Sequence, residues 1–332
     1  MTPIREIDRI DPKAFRDEIV PGYAPVVLRG LVRDWALVQA GSDEAAVEHL
    51  LGFDKGGVAE AFVGPPTING RFFYADDMRS FNFDRRRGRL GDLLRYVLGL
   101  RGKADAPAVY AGAVETREAL PGFGAANAMP LLDGMGAVPR IWIGNASTVS
   151  THFDASDNIA CVAAGRRRFT LFPPSQIHNL YVGPLDHTMA GQPASMVELN
   201  NPDFERFPRF REALDHAQSA ELEPGDAIYI PSLWWHQVDA LSPFNLLVNY
   251  WWSDSPDQAA RFEAMIYAVM AIGHLPEARR EAWSAMFDTF VFRRHGDPAA
   301  HMAPEHRGVV GEPTPQLRQY IKGFLARGLQ RP

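Results

Sequence analysis

A run of short apolar segments over residues 139–252 constrains the fold of this chain more than any other feature. Each segment has the length and the β-branched or aromatic content of a strand, and turn residues separate neighbouring segments. The predicted strands are RIWIGN, STVSTHFD, NIACVAAG, RRRFTLFPP, SMVEL, AELEPGDAIYIP, WWHQVDAL and FNLLVNYWW. Many short strands with one longer excursion, residues 175–217, predict a β-sandwich or a β-barrel.

The segments on either side of this run have a different texture. Residues 1–135 mix short strands, at 24–30 and 71–76, with a helix predicted over 89–100. A Gly- and Pro-rich stretch, 120–139, is predicted to be a loop. We therefore expect N-terminal α/β elements in residues 1–135 that pack on a β core in residues 136–253, followed by a helical region in residues 254–332.

The C-terminal region carries three apolar stripes at helical spacing. Their members are Phe262, Met265, Ile266, Val269 and Met270, then Trp283, Met286, Phe287, Phe290 and Val291, and last Leu317, Tyr320, Ile321, Phe324 and Leu325. Because a pair of helices cannot bury such stripes completely against itself, they either pack on the β core or pair with the same helices of a second chain. We favour the second arrangement, a homodimer through the C-terminal helices.

Charge and cysteine content restrict the possible partners and the compartment. The net charge of −6 gives no electrostatic reason to expect nucleic acid or an anionic membrane as a partner. Two local basic runs, at 85–89 and 166–168, do not change this expectation, because an isolated basic run is usually a solvated face. The single cysteine, Cys161, excludes an intramolecular disulfide, and neither a signal-peptide pattern nor a membrane-length apolar run is present. These features predict a cytoplasmic protein.

A histidine and an aspartate stand two residues apart in the segment STVSTHFDAS. On a strand, residues two apart project to one face, so His152 and Asp154 are predicted neighbours, together with Thr148 and Ser150. Taken alone, such a pair is more often a solvated strand edge. His236, which follows two tryptophans on a later strand, changes this interpretation, because two imidazoles and one carboxylate form the facial triad of non-haem Fe(II) oxygenases.

An arginine is predicted inside the same barrel. In GRRRFTLFPP, alternation places Arg167 on the side of the apolar residues Phe169 and Leu171. A cation among inward apolar residues needs an anionic partner, which a dicarboxylate such as 2-oxoglutarate would supply. The alternative is an arginine at the barrel rim whose charged end reaches water. Asn158 and Asn249 lie among apolar neighbours by the same alternation, and each alone is more often a satisfied core amide.

Five strings of this chain, taken in order, resemble the Jumonji-C or cupin-like branch of the Fe(II)- and 2-oxoglutarate-dependent oxygenases. They are H-x-D-x-x-x-N, G-x-x-R-x-x-LFPP, NPDFERFPRF, PGD-x-x-YIP-x-x-WWH and VN-x-W. Within this branch, the resemblance extends to the asparaginyl hydroxylase that inhibits hypoxia-inducible factor and to bacterial cupin-like proteins. The resemblance implies a mainly β protein whose core is a double-stranded β-helix, or jelly roll, with helical appendages.

The resemblance also implies roles for particular residues. His152, Asp154 and His236 match the iron ligands, and Arg167 stands where the family usually has a lysine that binds the distal carboxylate of 2-oxoglutarate. Tyr110 matches a tyrosine that assists this lysine, while Asn158 and Asn249 match asparagines beside the co-substrate.

Three positions depart from the family pattern. Val149 occupies a position, three residues before the first histidine, that is often Ser or Thr, so we expect Thr148 or Ser150 to supply the hydroxyl. Arginine in place of lysine is a larger, planar group that needs more room but can bind a carboxylate bidentately. Glutamines that contact substrate in the hydroxylase are absent from AGAVE, after Tyr110, so the resemblance brings no substrate with it.

These observations together predict an Fe(II)- and 2-oxoglutarate-dependent oxygenase that consumes O₂ and acts on an unidentified substrate. Hydroxylation of a protein side chain, an amino acid or a small molecule is the expected reaction, and demethylation uses the same machinery. One alternative is a metal-binding, cupin-like regulatory module without turnover. The departures from the family pattern at Arg167 and Val149 favour this alternative. Another is a zinc hydrolase on the same ligands, which is disfavoured because no dedicated general base stands near the triad in the sequence.

Overall fold

The computed structural model describes residues 1–253, 255 and 258–330. The chain divides into two compact units, Met1–Gln258 and Ala259–Pro332, which are considered separately. The strands all belong to the first unit. They are Thr2–Pro3 (β1), Arg5–Ile7 (β2), Val26–Leu28 (β3), Val58–Gly64 (β4), Arg71–Phe72 (β5), Asp84–Arg89 (β6), Ala108–Glu115 (β7), Val138–Gly144 (β8), Ser147–Phe153 (β9), Asp157–Ala164 (β10), Arg167–Phe172 (β11), Gln218–Leu222 (β12), Ala227–Ile230 (β13), Trp235–Ala240 (β14) and Asn245–Trp252 (β15).

The helices are short in the first unit and longer in the second. The α-helices are Pro12–Ala14 (α1), Val20–Gly22 (α2), Asp43–Leu51 (α3), Leu90–Leu98 (α4), Thr116–Ala119 (α5), Phe123–Ala126 (α6), Phe210–Asp215 (α7), Gln258–Ile272 (α8), Glu277–Phe290 (α9) and Pro315–Leu329 (α10). A π-helix spans Phe15–Ile19, and 3₁₀ turns span Pro66–Ile68, Pro130–Leu132, Pro174–Asn179, Pro304–His306 and Gly308–Val310.

The last eight strands form a double-stranded β-helix. Strands β8, β15, β10 and β13 are neighbours in one sheet, and β9, β14, β11 and β12 are neighbours in the other, with antiparallel pairing throughout. The two sheets contribute one shared apolar cluster, which includes Val162, Phe169, Leu171, Ile228 and Leu247. The predicted jelly-roll core is therefore confirmed.

Strands from the N-terminal segment extend both sheets. The larger sheet has the order β2-β3-β13-β10-β15-β8-β7-β4-β6, and the smaller has the order β1-β12-β11-β14-β9-β5. Alternate residues of β10 face opposite sides: Ala160 and Val162 point into the barrel, whereas Ile159 and Cys161 pack against the N-terminal elements. Because both faces are covered, β10 is apolar along nearly its whole length.

The helix predicted over 89–100 is present as α4, which buries Leu90, Leu94 and Val97. Two other predictions were wrong. The segment SMVEL is not a strand, because Val197 and Leu199 pack into a local cluster with residues of the excursion and Ser195 donates its hydroxyl to the carbonyl of Leu180. The stretch 120–139 is not simply a loop, since its apolar residues form short helical turns that pack on the main core.

The second unit contains the three helices that the apolar stripes predicted. Large apolar side chains on all three helices are exposed, among them Met265, Val269, Met270, Trp283, Met286, Phe290, Tyr320, Phe324 and Leu325. Within the described residues, no helix combines the length and the apolar character needed to cross a bilayer.

Candidate metal centre

The register of β9 and β14 brings the two predicted histidines together. His152 and His236 are direct cross-strand partners, and their ring centroids lie 4.4 Å apart. Asp154 follows the last residue of β9, and its Oδ2 lies 3.7 Å from Nε2 of His236. One ligand atom from each of the three residues lies within 4.8 Å of the others, the one such cluster found among the described residues.

Both imidazole rings are oriented by a backbone carbonyl. Nδ1 of His152 lies 2.9 Å from the carbonyl oxygen of Ser150, and Nδ1 of His236 lies 3.0 Å from that of Trp234. Because a carbonyl only accepts hydrogen bonds, these contacts assign the proton to Nδ1 and leave the Nε2 lone pair free. Such hydrogen bonds typically orient histidines that bind a metal.

The environment of His236 favours its neutral form. Burial, and secondarily the neighbouring His152, lower the pKa of His236 to about 4. A metal ion therefore does not compete with a proton for Nε2 at neutral pH. Two imidazoles and one carboxylate match the donor set that non-haem Fe(II) prefers.

An indole that the sequence analysis did not single out orients Asp154. The indole nitrogen Nε1 of Trp251 donates a hydrogen bond of 3.1 Å to Oδ2 of Asp154, and the carboxylate is almost completely buried. Trp251 is the last residue of the VN-x-W string, and alternation places it on the same strand face as Asn249, but neither feature predicted a contact with Asp154. This contact fixes the carboxylate beside the two imidazoles.

A β-bulge alters the face that the residues before His152 present. His236 pairs with His152, but Val238 pairs with Val149, so β9 contains one extra residue at this point. Val149 consequently lines the cavity beside the histidines, and Thr148 lies on the opposite side, where its hydroxyl donates to Asp239 at 2.8 Å. The predicted shared face of Thr148 with His152 is wrong for this reason.

Ser150 neither lines the inner cavity, as Val149 does, nor bonds Asp239, as Thr148 does. Its side chain lines a chamber outside the histidines, and its buried hydroxyl has no hydrogen-bond partner among the described residues. Of the two hydroxyls predicted near the co-substrate, the structure therefore brings Ser150 near the triad and not Thr148.

Arg167 is buried in the barrel beside the triad. It is 4% exposed and lies with Phe169 and Val149 in the wall of an inner cavity of about 50 Å³, which the three candidate ligands also line. Burial lowers the pKa of Arg167 to about 10, so the guanidinium stays charged at neutral pH. Its Nε has no hydrogen-bond partner, and no carboxylate in the described part of the chain forms an ion pair with it.

A buried charge without a partner is costly, so this position is built for an anion that enters the cavity. Tyr110 lines the same cavity, and burial raises the pKa of its hydroxyl while the charge of Arg167 opposes that rise. The phenol therefore remains a neutral hydrogen-bond donor next to the guanidinium.

The two predicted asparagines form a connected pair in the cavity wall. Asn249 donates from Nδ2 to Oδ1 of Asn158 at 3.1 Å, and it accepts a hydrogen bond of 2.7 Å from the indole of Trp142. Both amides line the inner cavity. The structure thus places Tyr110, Asn158, Arg167 and Asn249 in the wall of the cavity that the triad also lines.

An outer chamber of about 490 Å³ adjoins the inner cavity and shares His152 and Asp154 with it. Part of its wall is aromatic, formed by Phe62, Phe72, Tyr110, Trp142 and Trp251. One ion pair, between Arg85 and Glu60 at 2.8 Å, also lines the chamber. The chamber has room for a group on the open side of the triad.

Comparisons with known proteins agree with this geometry. A family model described as a cupin-like domain matches residues 12–258. The chain is 36% identical to lysine-specific demethylase JMJ31 of Arabidopsis thaliana over 117 residues. This match covers 35% of this chain and 21% of that protein. It is 32% identical over 106 residues to tRNA wybutosine-synthesizing protein 5 of Gallus gallus, 32% of this chain and 30% of that protein.

A third relative, JmjC domain-containing protein F of Dictyostelium discoideum, is 33% identical over 128 residues. This match covers 35% of this chain and 27% of that protein. In each of the three cases the match covers less than a third of the relative's length.

Proposed function

The chain belongs to the cupin-like domain family, and from this premise we propose that it is an Fe(II)- and 2-oxoglutarate-dependent oxygenase. The observation that carries the proposal is one cavity that holds both a His152, Asp154 and His236 cluster and a buried Arg167 without an anionic partner. The first group fits a divalent iron, and the second fits the distal carboxylate of 2-oxoglutarate.

Different residues of the cavity would bind the metal and the co-substrate. His152, Asp154 and His236 would hold iron, which supplies the activation of O₂ as 2-oxoglutarate is decarboxylated to succinate and CO₂. Arg167 and Tyr110 would bind the distal carboxylate of 2-oxoglutarate, and the Asn158 and Asn249 pair would line its flank.

Apolar residues of the wall, such as Val149, Phe169 and Leu247, would limit the access of water to the reacting groups, and Trp251 would keep the Asp154 carboxylate in position.

We further propose that the reaction is a hydroxylation, with a substrate group placed in the outer chamber. Demethylation would require only that the target carbon be an N-methyl group. One relative carries the name of a demethylase and another that of a tRNA-modifying protein, so these names do not agree on one substrate. The likeness to the asparaginyl hydroxylase stays a prediction. So does the division of the chain after residues 135 and 253, and the second of these boundaries adjoins residue 254, which lies outside the described residues.

The alternative function is a metal-binding module without turnover. Val149 favours it, because an apolar side chain occupies the cavity position where the family often has a hydroxyl. Release of succinate from 2-oxoglutarate distinguishes the two functions. We expect the purified protein with Fe(II) and ascorbate to release succinate and CO₂ in equal amounts. Binding of both ligands without any succinate would support the module instead.

Trp251→Phe should weaken iron binding about tenfold, because second-shell partners of metal ligands typically contribute a factor of about 10 to 100 to affinity. The substitution removes the indole donor to Asp154 but keeps an aromatic ring. Trp142→Phe is the matched control, since its indole bonds Asn249 and touches no candidate ligand through a hydrogen bond. Calorimetric titration with Mn(II) measures both affinities. Equal values for wild type and Trp251→Phe would refute the positioning role.

The exposed stripes of the second unit support a homodimer, which we propose forms through α8, α9 and α10. Met286→Glu places a charge in the stripe of α9, which also exposes Trp283 and Phe290. We expect this variant to be a monomer, because burying an unpaired charge opposes association. Ser284→Glu, on another face of the same helix, should leave the dimer intact. Light scattering at micromolar concentration gives the mass, and a monomeric wild-type protein would contradict the proposal.

A further inference from the structure

One edge of the larger sheet is strongly basic. Strand β6 is the last strand in the sheet order and pairs only with β4, so its outer edge has no neighbouring strand among the described residues. All six of its residues are exposed, and four of them are arginines: Arg85, Arg86, Arg87 and Arg89. The concentration of positive charge contrasts with the net charge of −6 of the whole chain.

Arg85, Arg87 and Arg89 project to one face of the sheet, the face that also carries Phe62 of the outer-chamber wall. In the antiparallel register, Phe62 of β4 is opposite Arg85, and on its other side it is opposite Tyr110 of β7. Directly paired residues project to the same face of a sheet. A continuous row of side chains therefore leads from Tyr110, in the cavity wall, through Phe62 to Arg85 at the edge.

The remaining arginines of this face are available for a partner. Arg85 is already engaged, because its guanidinium lies 4.7 Å from the centre of the Phe62 ring and it pairs with Glu60. Arg87 is opposite Glu60 and Arg89 is opposite Val58, so both lie on this face by alternation. Neither forms an ion pair within the residues that the structure describes.

We propose that the outer edge of β6 binds an extended, acidic segment of a polypeptide, which adds to the sheet as a further strand. The free amide and carbonyl groups of an edge strand supply backbone hydrogen bonds to such a segment. Acidic side chains at every second position would face Arg87 and Arg89. A charged edge also resists pairing with its own copy, because two arginine-rich strands repel each other, whereas an acidic strand is attracted.

A peptide fits this surface better than nucleic acid does. Nucleotides do not pair with the backbone of a strand edge, and the negative charge of the chain as a whole opposes a long phosphate backbone. Since the row of side chains joins the edge to the outer chamber, the bound strand would place neighbouring residues near the triad. That the strand is the substrate rests on the proposed oxygenase function; that the edge binds it does not.

The test measures binding of a fluorescein-labelled octapeptide of alternating Glu and Val by anisotropy. We expect saturable binding that weakens about tenfold in Arg87→Glu/Arg89→Glu, because the substitution reverses the charge at the edge. Arg9→Glu/Arg16→Glu reverses the same charge at two exposed arginines elsewhere and should bind as wild type does. Equal binding by both double variants, or by a Lys–Val octapeptide, would overturn the proposal.

Two N-methylated peptides separate strand addition from attraction between charges. One is methylated on the valine amides and the other on the glutamate amides, so both keep the acidic charge. One of them should lose binding, because strand addition needs the amides on one side of the peptide. Undiminished binding of both, or tighter binding of a labelled oligouridylate than of the acidic peptide, would contradict the proposed mode.

The Asp154→Asn variant makes the two proposals independently testable. It should bind the acidic peptide as wild type does, since Asp154 is not at the edge, even though its iron affinity is expected to fall. Peptide binding without turnover in the wild-type protein would leave the docking surface in place and refute the oxygenase. Turnover of 2-oxoglutarate without peptide binding would support the oxygenase and refute the docking surface.

Discussion

Asp154→Asn should abolish tight binding of Fe(II) while the protein stays folded. The substitution keeps the size of the side chain and an oxygen that accepts the hydrogen bond from Trp251, but it removes the one negative charge of the triad. Loss of a ligand should exceed the effect of losing its supporting partner, so we expect the affinity to fall by more than about a hundredfold. His152→Ala should have a similar effect. Anaerobic calorimetry with Fe(II), and with Mn(II) in air, measures the change.

Asp239→Asn is the matched control for this experiment. Asp239 is also a buried carboxylate, on β14, but it accepts hydrogen bonds from Thr148, Gln237 and Asn200 on the side of the strand away from the cavity. Its replacement should leave iron affinity unchanged, and thermal unfolding of both variants reports any loss of stability. Stoichiometric iron binding by Asp154→Asn with wild-type affinity would show that the metal is held elsewhere.

Arg167→Ala should weaken 2-oxoglutarate binding far more than iron binding. A hydrogen bond to a charged group contributes about 1.5–3 kcal/mol, which corresponds to a loss of roughly ten- to a hundredfold in affinity. The neighbouring Arg168 provides the control, since it is only partly buried, pairs with Glu221 at 2.7 Å and projects to the other face of β11. Arg168→Ala should bind 2-oxoglutarate as wild type does.

The Arg167→Lys variant tests geometry rather than charge. A lysine keeps the positive charge but cannot form the two parallel hydrogen bonds of a guanidinium, and its shorter polar end leaves space at the bottom of the cavity. We expect an affinity between those of wild type and Arg167→Ala. Titration of 2-oxoglutarate into the Mn(II)-loaded protein measures all three, and equal affinities of wild type and Arg167→Ala would place the co-substrate elsewhere.

The alternation of strands made much of the cavity predictable. Arg167 stands two and four residues before Phe169 and Leu171, so its inward position followed from a period of two, and all three side chains are buried inside the barrel. The same period fails at β9, because a bulge inserts one residue between Val149 and His152 and exchanges the faces of Thr148 and Val149. A bulge depends on the pairing of two distant strands, and the sequence of one strand does not record it.

Contacts between distant strands were equally invisible to sequence patterns. Trp251 lies on the last strand of the barrel, and its hydrogen bond to Asp154 spans 97 positions of the chain. The segment SMVEL has the composition of a strand, yet Val197 and Leu199 pack in a cluster with other residues of the excursion and with side chains of β11 and β14. In both cases tertiary packing, rather than local propensity, decides the role of the residue.

The most direct test of the account is a crystal structure with Mn(II) and N-oxalylglycine, a non-reacting analogue of 2-oxoglutarate. We expect Mn(II) to be bound by Nε2 of His152, Nε2 of His236 and a carboxylate oxygen of Asp154, and the distal carboxylate of the analogue to lie on the guanidinium of Arg167. Anomalous scattering at the manganese edge identifies the metal position. A metal bound outside this triad, or an analogue whose distal carboxylate does not contact Arg167, would contradict the account.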